Sequence, residues 1–120
     1  MKVLLLLFLV ALSVLLEAKM QYVTVKGIVT CNNKRVPDVL VELWERDLID
    51  LDDRLASVDT NNEGEFTLTG GEDEIFSIEP FIRIMYNCNA KGLQFGKLPD
   101  LKAPSKWCFG ILKDLCVELI

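Results

Sequence analysis

Between residues 22 and 31 apolar and polar side chains alternate with a period of two. Val23, Val25, Val29 and Cys31 fall on one face, and Thr24, Lys26 and Thr30 fall on the other. Only an extended chain sends every second side chain to the same side, so the pattern predicts a half-buried strand and excludes an amphipathic helix. It recurs further along. Residues 39–45 turn Val39, Val41 and Leu43 inward and Leu40, Glu42 and Trp44 outward; residues 55–59 offer Ala56 and Val58; residues 65–69 offer Phe66 and Leu68. Pro80 opens a longer strand with Ile82, Ile84, Tyr86 and Cys88 as its inner face. Turn chemistry stands between them: Asn32-Asn33-Lys34-Arg35 ahead of Pro37, Thr60-Asn61-Asn62-Glu63-Gly64, and a break at Gly70-Gly71-Glu72-Asp73-Glu74. Residues 47–53 read as a solvated acidic loop, and residues 89–105 as a loop of Gly, Lys and Pro. Short strands with turn signals and no 3.6-residue period predict an all-β, antiparallel β-sandwich.

The C-terminal stretch allows a sharper inference. Trp107, Phe109 and Ile111 share one face, as do Leu115, Val117 and Leu119. A hairpin turning near Leu112-Lys113-Asp114 would bring all six to the core and set Cys108 directly opposite Cys116 on the other face. Direct cross-strand neighbours are close enough for a disulfide, which leaves Cys31 and Cys88 to pair by elimination. The alternative is a short helix over residues 112–119, because short apolar runs fit either period.

Residues 3–16 hold 13 apolar positions out of 14, preceded by Lys2 and followed by Ala18. A basic start, an apolar centre and a small residue at the end form the layout of a secretory signal peptide, with cleavage between Ala18 and Lys19. A membrane span needs about 20 apolar residues, and Glu17 and Lys19 close the run before that. The expected division is therefore a leader over residues 1–18 and one domain over residues 19–120, secreted and not membrane-spanning. Removing the leader takes away one acidic and one basic residue, so the net charge stays at −5. In an oxidising compartment Cys31, Cys88, Cys108 and Cys116 are expected as two disulfides, for which three connectivities exist. Asn32, Asn33, Asn61, Asn62, Asn87 and Asn89 all lack Ser or Thr two residues on, so N-glycosylation is not expected.

The chain has no histidine, and with it go the commonest general base and the commonest metal ligand. The domain's serines, Ser57, Ser77 and Ser105, have no imidazole to activate them, and there is no Gly-x-Ser-x-Gly elbow or phosphate-cradling loop. Asp59 to Gly64 copy the first half of a calcium loop, but the acid needed at its twelfth position is Gly70. Weak calcium binding at residues 47–53 stays open. A net charge of −5 disfavours nucleic acid, whose phosphates need clustered cations. No cofactor or catalytic residue is expected. What remains is binding. Leu40 and Trp44, outward on one strand, are either covered by a loop such as residues 89–105 or are part of an exposed patch for a lipid or partner.

Four segments resemble the nematode transthyretin-like family: Val23-Thr-Val-Lys-Gly-Ile-Val-Thr-Cys31, Val39-Leu-Val-Glu-Leu-Trp-Glu-Arg-Asp47, Asp59-Thr-Asn-Asn-Glu-Gly-Glu-Phe66 and Ile78-Glu-Pro-Phe-Ile-Arg-Ile-Met-Tyr-Asn-Cys-Asn89. The resemblance covers residues 22–90. It implies a secreted transthyretin-like, prealbumin-type (Ig-like) sandwich that carries a small hydrophobic or lipid ligand or meets an extracellular or cell-surface protein. The alternative is a secreted structural or interaction domain that associates through its sheet edge as a homo-oligomer. The family usually adds another strand after a segment like residues 105–114. Here either residues 115–120 take its place or the last strand is lacking and an edge is open. The family's second-disulfide cysteine also falls at about Pro104, whereas Cys108 and Cys116 lie later. Related transthyretin-fold hydrolases use histidines and a characteristic tail, and this chain has neither, so the resemblance implies binding rather than hydrolysis.

Overall fold

The computed structural model describes residues 1–16, 20–46, 53–73, 79–89 and 91–120. Helix α1, Lys2–Leu16, is followed by strands β1 (Met20–Cys31), β2 (Lys34–Arg35), β3 (Leu40–Glu45), β4 (Asp53–Asp59), β5 (Glu65–Asp73), β6 (Pro80–Tyr86), β7 (Gln94–Leu98), β8 (Ser105–Phe109) and β9 (Leu115–Leu119). Among the described residues, no helix is long and apolar enough to cross a membrane. The proposed cleavage residues Ala18 and Lys19 lie outside the described residues, as do residues 47–52 of the acidic stretch; Asp53 opens β4.

The strands form two antiparallel sheets. In the first, β1 has β5 and β2 on one side and β9 then β8 on the other; in the second the order is β4-β3-β6-β7. This is a transthyretin-type sandwich. Each sheet turns one side of its alternating pattern inward. Val25 and Val29 of β1, Leu68 of β5 and Val117 of β9 meet Val41 and Leu43 of β3 and Ile82 and Ile84 of β6 in one buried cluster. Alternation, not helix propensity, built this core.

Several expectations need correction. Gly70 and Gly71 do not break the chain, because β5 runs through them to Asp73. Gly70 is there for closeness: a Cβ at that position would stand 2.7 Å from the Cβ of Leu55, so β4 and β5 can approach only without it. Residues 89–105 are not all loop, since residues 94–98 form edge strand β7 against β6. Lys34 and Arg35 belong to strand β2, paired back on Cys31 and Thr30 around Asn32 and Asn33, both at positive φ (53° and 65°) as a two-residue hairpin turn demands. Glu42 points outward but is only 3% exposed. Its carboxylate is held by Arg54 at 3.3 Å.

The last strand is present. Residues 115–119 form β9, inserted between β1 and β8, and the helical alternative fails. The predicted hairpin register holds, with Trp107 opposite Val117, Cys108 opposite Cys116 and Phe109 opposite Leu115. Five of the six side chains expected at the core are there: Leu115, Val117 and Leu119 are buried, and Trp107 and Phe109 pack against the same cluster. Ile111 is the exception. It lies beyond the last paired residue, on the turn itself, and is fully exposed.

Candidate functional site

The Asp59–Gly64 segment that copies half a calcium loop is a hairpin turn. The Asn61 side-chain oxygen accepts the backbone N–H groups of Glu63 and Glu65, both at 2.9 Å, which occupies the atom a cation would need. Gly64 closes the turn at φ +73°. Thr60, buried beside it, donates its hydroxyl to the Val36 carbonyl at 2.7 Å and accepts the Val39 N–H at 3.1 Å, tying the approach to β3 onto this turn. Among the described residues, no three His, Cys, Asp or Glu side chains converge to hold a metal.

Leu40 and Trp44 lie half-buried on the outer face of the second sheet, and other residues of that sheet cover Trp44. Trp44 stacks on its cross-strand partner Phe81, with ring centroids 6.4 Å apart and planes 13° from parallel. The Arg83 guanidinium lies 5.9 Å from the Trp44 centroid and 4.6 Å from that of Phe95, while the Lys97 ammonium sits 4.3 Å from Phe81. Cations set on ring faces are attracted by the ring quadrupole. The aromatic side chains of this face are therefore roofed by charge.

The opposite situation holds at one end of the sandwich, where three connections converge: the β1–β2 turn, residues 87–89 with 91–93, and the β8–β9 turn. Cys31, the last residue of β1, is bonded to Cys88, just past β6, so the disulfide joins the two sheets. The next residue on each segment repeats the link. Asn32 Nδ2 donates to Asn89 Oδ1 at 3.2 Å, and Asn89 Nδ2 donates back to Asn32 Oδ1 at 2.8 Å and to Asp114 Oδ2 at 2.9 Å. The Asn32 backbone N–H reaches the Asp114 carbonyl at 3.0 Å. Asn32 and Asn89 both stand at φ 53°, a left-handed conformation that asparagine tolerates better than most residues. Three loops are thus pinned by one covalent bond and four hydrogen bonds.

On this base sits apolar surface. A cleft of about 570 Å³ opens between Tyr86, Cys88, Asn89, Phe109, Ile111 and Leu112. A second, of about 320 Å³, lies on the other side of the disulfide beside Val36, Val39, Met85 and Leu93. Tyr86 and Phe109 contribute tilted rings 6.4 Å apart. Phe109 has room because β7 carries Gly96, where a Cβ would come within 3.0 Å of that ring. Beyond residues 1–16, the large apolar side chains exposed among the described residues are Tyr22, Leu93, Phe95, Ile111, Leu112 and Ile120. Leu93, Ile111 and Leu112 gather at this end, and Phe95 follows one residue into β7. Ile111 is 102% exposed and Leu112 78%.

Of the residues picked out from the sequence, the structure brings Cys31 and Cys88 into this site. It bonds Cys108 to Cys116 on the outer face of β8 and β9. Leu40 and Trp44 line neither cleft. Asn32, Asn89 and Asp114 were missed, although a signal existed: Cys-Asn occurs twice, and both copies meet here.

A profile of the Transthyretin-like family matches residues 26–109, from β1 to the end of β8. The chain belongs to the Transthyretin-like family. Transthyretin-like protein 16 of Caenorhabditis elegans is 45% identical over 83 residues, which are 69% of this chain and 63% of the relative. Transthyretin-like protein 5 of the same organism is 43% identical over 90 residues, 74% of this chain and 65% of the relative, and Transthyretin-like protein 46 is 38% identical over 77 residues, 63% of this chain and 43% of the relative. The chain thus spans under two thirds of the length of these curated relatives. No solved structure matches it.

Proposed function

We propose that this protein is a secreted, extracellular binding protein that takes an apolar ligand, a small hydrophobic molecule or a lipid, at the disulfide-pinned end of its sandwich. In this reading residues 1–18 are removed as a signal peptide ahead of Lys19, and residues 19–120 are the working domain. One observation carries it. Ile111 and Leu112 stand exposed on the β8–β9 turn beside a cleft floored by Tyr86 and Phe109. Exposed apolar side chains rimming a concave apolar surface are what a ligand of matching chemistry would cover. The rigid base supports the same reading, because a pre-organised site loses little entropy when it is filled.

The test is titration of the secreted protein with 1-anilinonaphthalene-8-sulfonate and with long-chain fatty acids, beside native mass spectrometry of the freshly secreted material. An Ile111→Ser/Leu112→Ser variant with unchanged thermal stability is expected to bind at least tenfold more weakly. Unchanged affinity would remove the site from this role. A second reading, association of copies through a sheet edge, is favoured by β7 and β8. They are edge strands on the same side of the sandwich, and Phe95 on β7 is 55% exposed. Sedimentation of the same sample distinguishes it.

A further inference from the structure

The two disulfides sit in very different surroundings. Cys31 and Cys88 pack against the buried cluster, join the two sheets and are 57 residues apart in sequence. The Asn32–Asn89 pair links the same two segments through two hydrogen bonds that do not involve the sulfurs. Cys108 and Cys116 are 8 residues apart, face outward from β8 and β9, and lie outside the core cluster. Among the described residues, β8 is an edge strand paired with β9 alone. The turn between the two strands carries Gly110 at φ +95° and Lys113 at φ +54°, a conformation costly for a residue with a Cβ.

A folded protein protects a disulfide to the extent that it keeps the two thiols together once the bond opens, and to the extent that it screens the sulfurs from an incoming thiolate. The first condition favours Cys31–Cys88; in burial the four cysteines are alike, each half-buried. After reduction its thiols stay side by side, held by two sheets and an amide pair. At Cys108–Cys116 the sulfurs face outward, and one strand pairing, with Trp107 and Phe109 packed only partly buried on the core, opposes their separation.

We propose that Cys108–Cys116 is a reactive disulfide, the site at which a dithiol reductant of the thioredoxin type acts on this protein, and that its opening releases β8 while the rest of the sandwich stays folded. The thiolate of the reductant attacks the Sγ of one of the two cysteines. A mixed disulfide forms, and the other Sγ leaves as a thiolate and takes up a proton. The second thiol of the reductant, as its thiolate, then displaces the bound cysteine, so that two electrons pass to the protein and the reductant ends as its own disulfide. Two features connected to β8 move with it: Phe109 parts from Tyr86, and the Ile111-Leu112 turn loses its anchor.

The experiment is a titration of the oxidised protein with thioredoxin, its thiols held reduced, and separately with dithiothreitol. Each point is quenched by alkylation and mapped by peptide mass spectrometry, and hydrogen exchange is recorded on parallel samples. Alkylation of Cys108 and Cys116 is expected at a reductant concentration at least tenfold below that which opens Cys31–Cys88, with faster exchange confined to residues 105–119. Opening of both bonds over the same range, or of Cys31–Cys88 first, would overturn the proposal. A Cys108→Ser/Cys116→Ser variant should show the same fast exchange at residues 105–109 without reductant. Protection there equal to that of the oxidised protein would overturn the second half of the proposal, since the bond would then not be what holds β8. Neither readout depends on ligand binding, so the result stands apart from the function proposed above.

Discussion

The side-chain amides of Asn32 and Asn89 exchange two hydrogen bonds, at 2.8 and 3.2 Å, one residue beyond the disulfide that joins Cys31 to Cys88. Covalent and polar links therefore tie the same two segments, and the second extends to Asp114 on a third. Asn89→Ala breaks three hydrogen bonds and leaves Asp114 without its side-chain partner. Because the site is exposed, the expected loss is about 1–2 kcal/mol. Urea denaturation of the oxidised protein measures it, and a loss below a few tenths would mean that water replaces the amide in full.

The two crosslinks should differ in what they contribute. By loop-closure entropy a bond spanning 57 residues stabilises by about 4 kcal/mol and one spanning 8 by about 2.5 kcal/mol. Cys31→Ser/Cys88→Ser is expected to lower the denaturation midpoint more than Cys108→Ser/Cys116→Ser. The reverse order would show that chain entropy does not rank them.

Thr60→Val keeps the shape of a buried side chain and removes its hydroxyl. The Val36 carbonyl then loses a donor and the Val39 N–H an acceptor. A cost of about 2–3 kcal/mol is expected, most of it from the unsatisfied backbone groups. Thermal unfolding followed by circular dichroism checks this, with Thr60→Ser as the variant that restores stability in large part.

Gly70→Val tests the close approach of β4 and β5. Its Cβ would meet the Leu55 Cβ at 2.7 Å and a Leu43 methyl at 3.0 Å, so strands rather than side-chain tips would have to move. A loss of about 1–3 kcal/mol is expected. An undiminished melting temperature would mean that β4 can shift at no cost.

Much of the fold was legible because a strand's period is two and the core uses every second residue. Val41, Leu43, Ile82 and Ile84 announce themselves in that way, and so does the Cys108–Cys116 register. The pattern is silent about close approach. Gly70 looks like a break on composition alone, and only the neighbouring Leu55 shows why it lies inside a strand. It is equally silent past the end of a strand, where alternation no longer fixes direction, and so Ile111 was assigned to a face that the turn does not have. The site was less legible still. Its parts are 32, 89 and 114 in sequence, and their meeting depends on three connections that no local period encodes.

The roof of cations over the second sheet has a consequence for how the molecule meets others. Arg83 stands over Trp44 and Phe95 and Lys97 over Phe81, so that broad face presents charge above its rings, Phe95 alone of the three staying largely exposed. Ile111 and Leu112, with no such cover, stand on the turn at one end of the sandwich. In the function proposed above, the ligand is met at that end of the sandwich rather than across its charged flank.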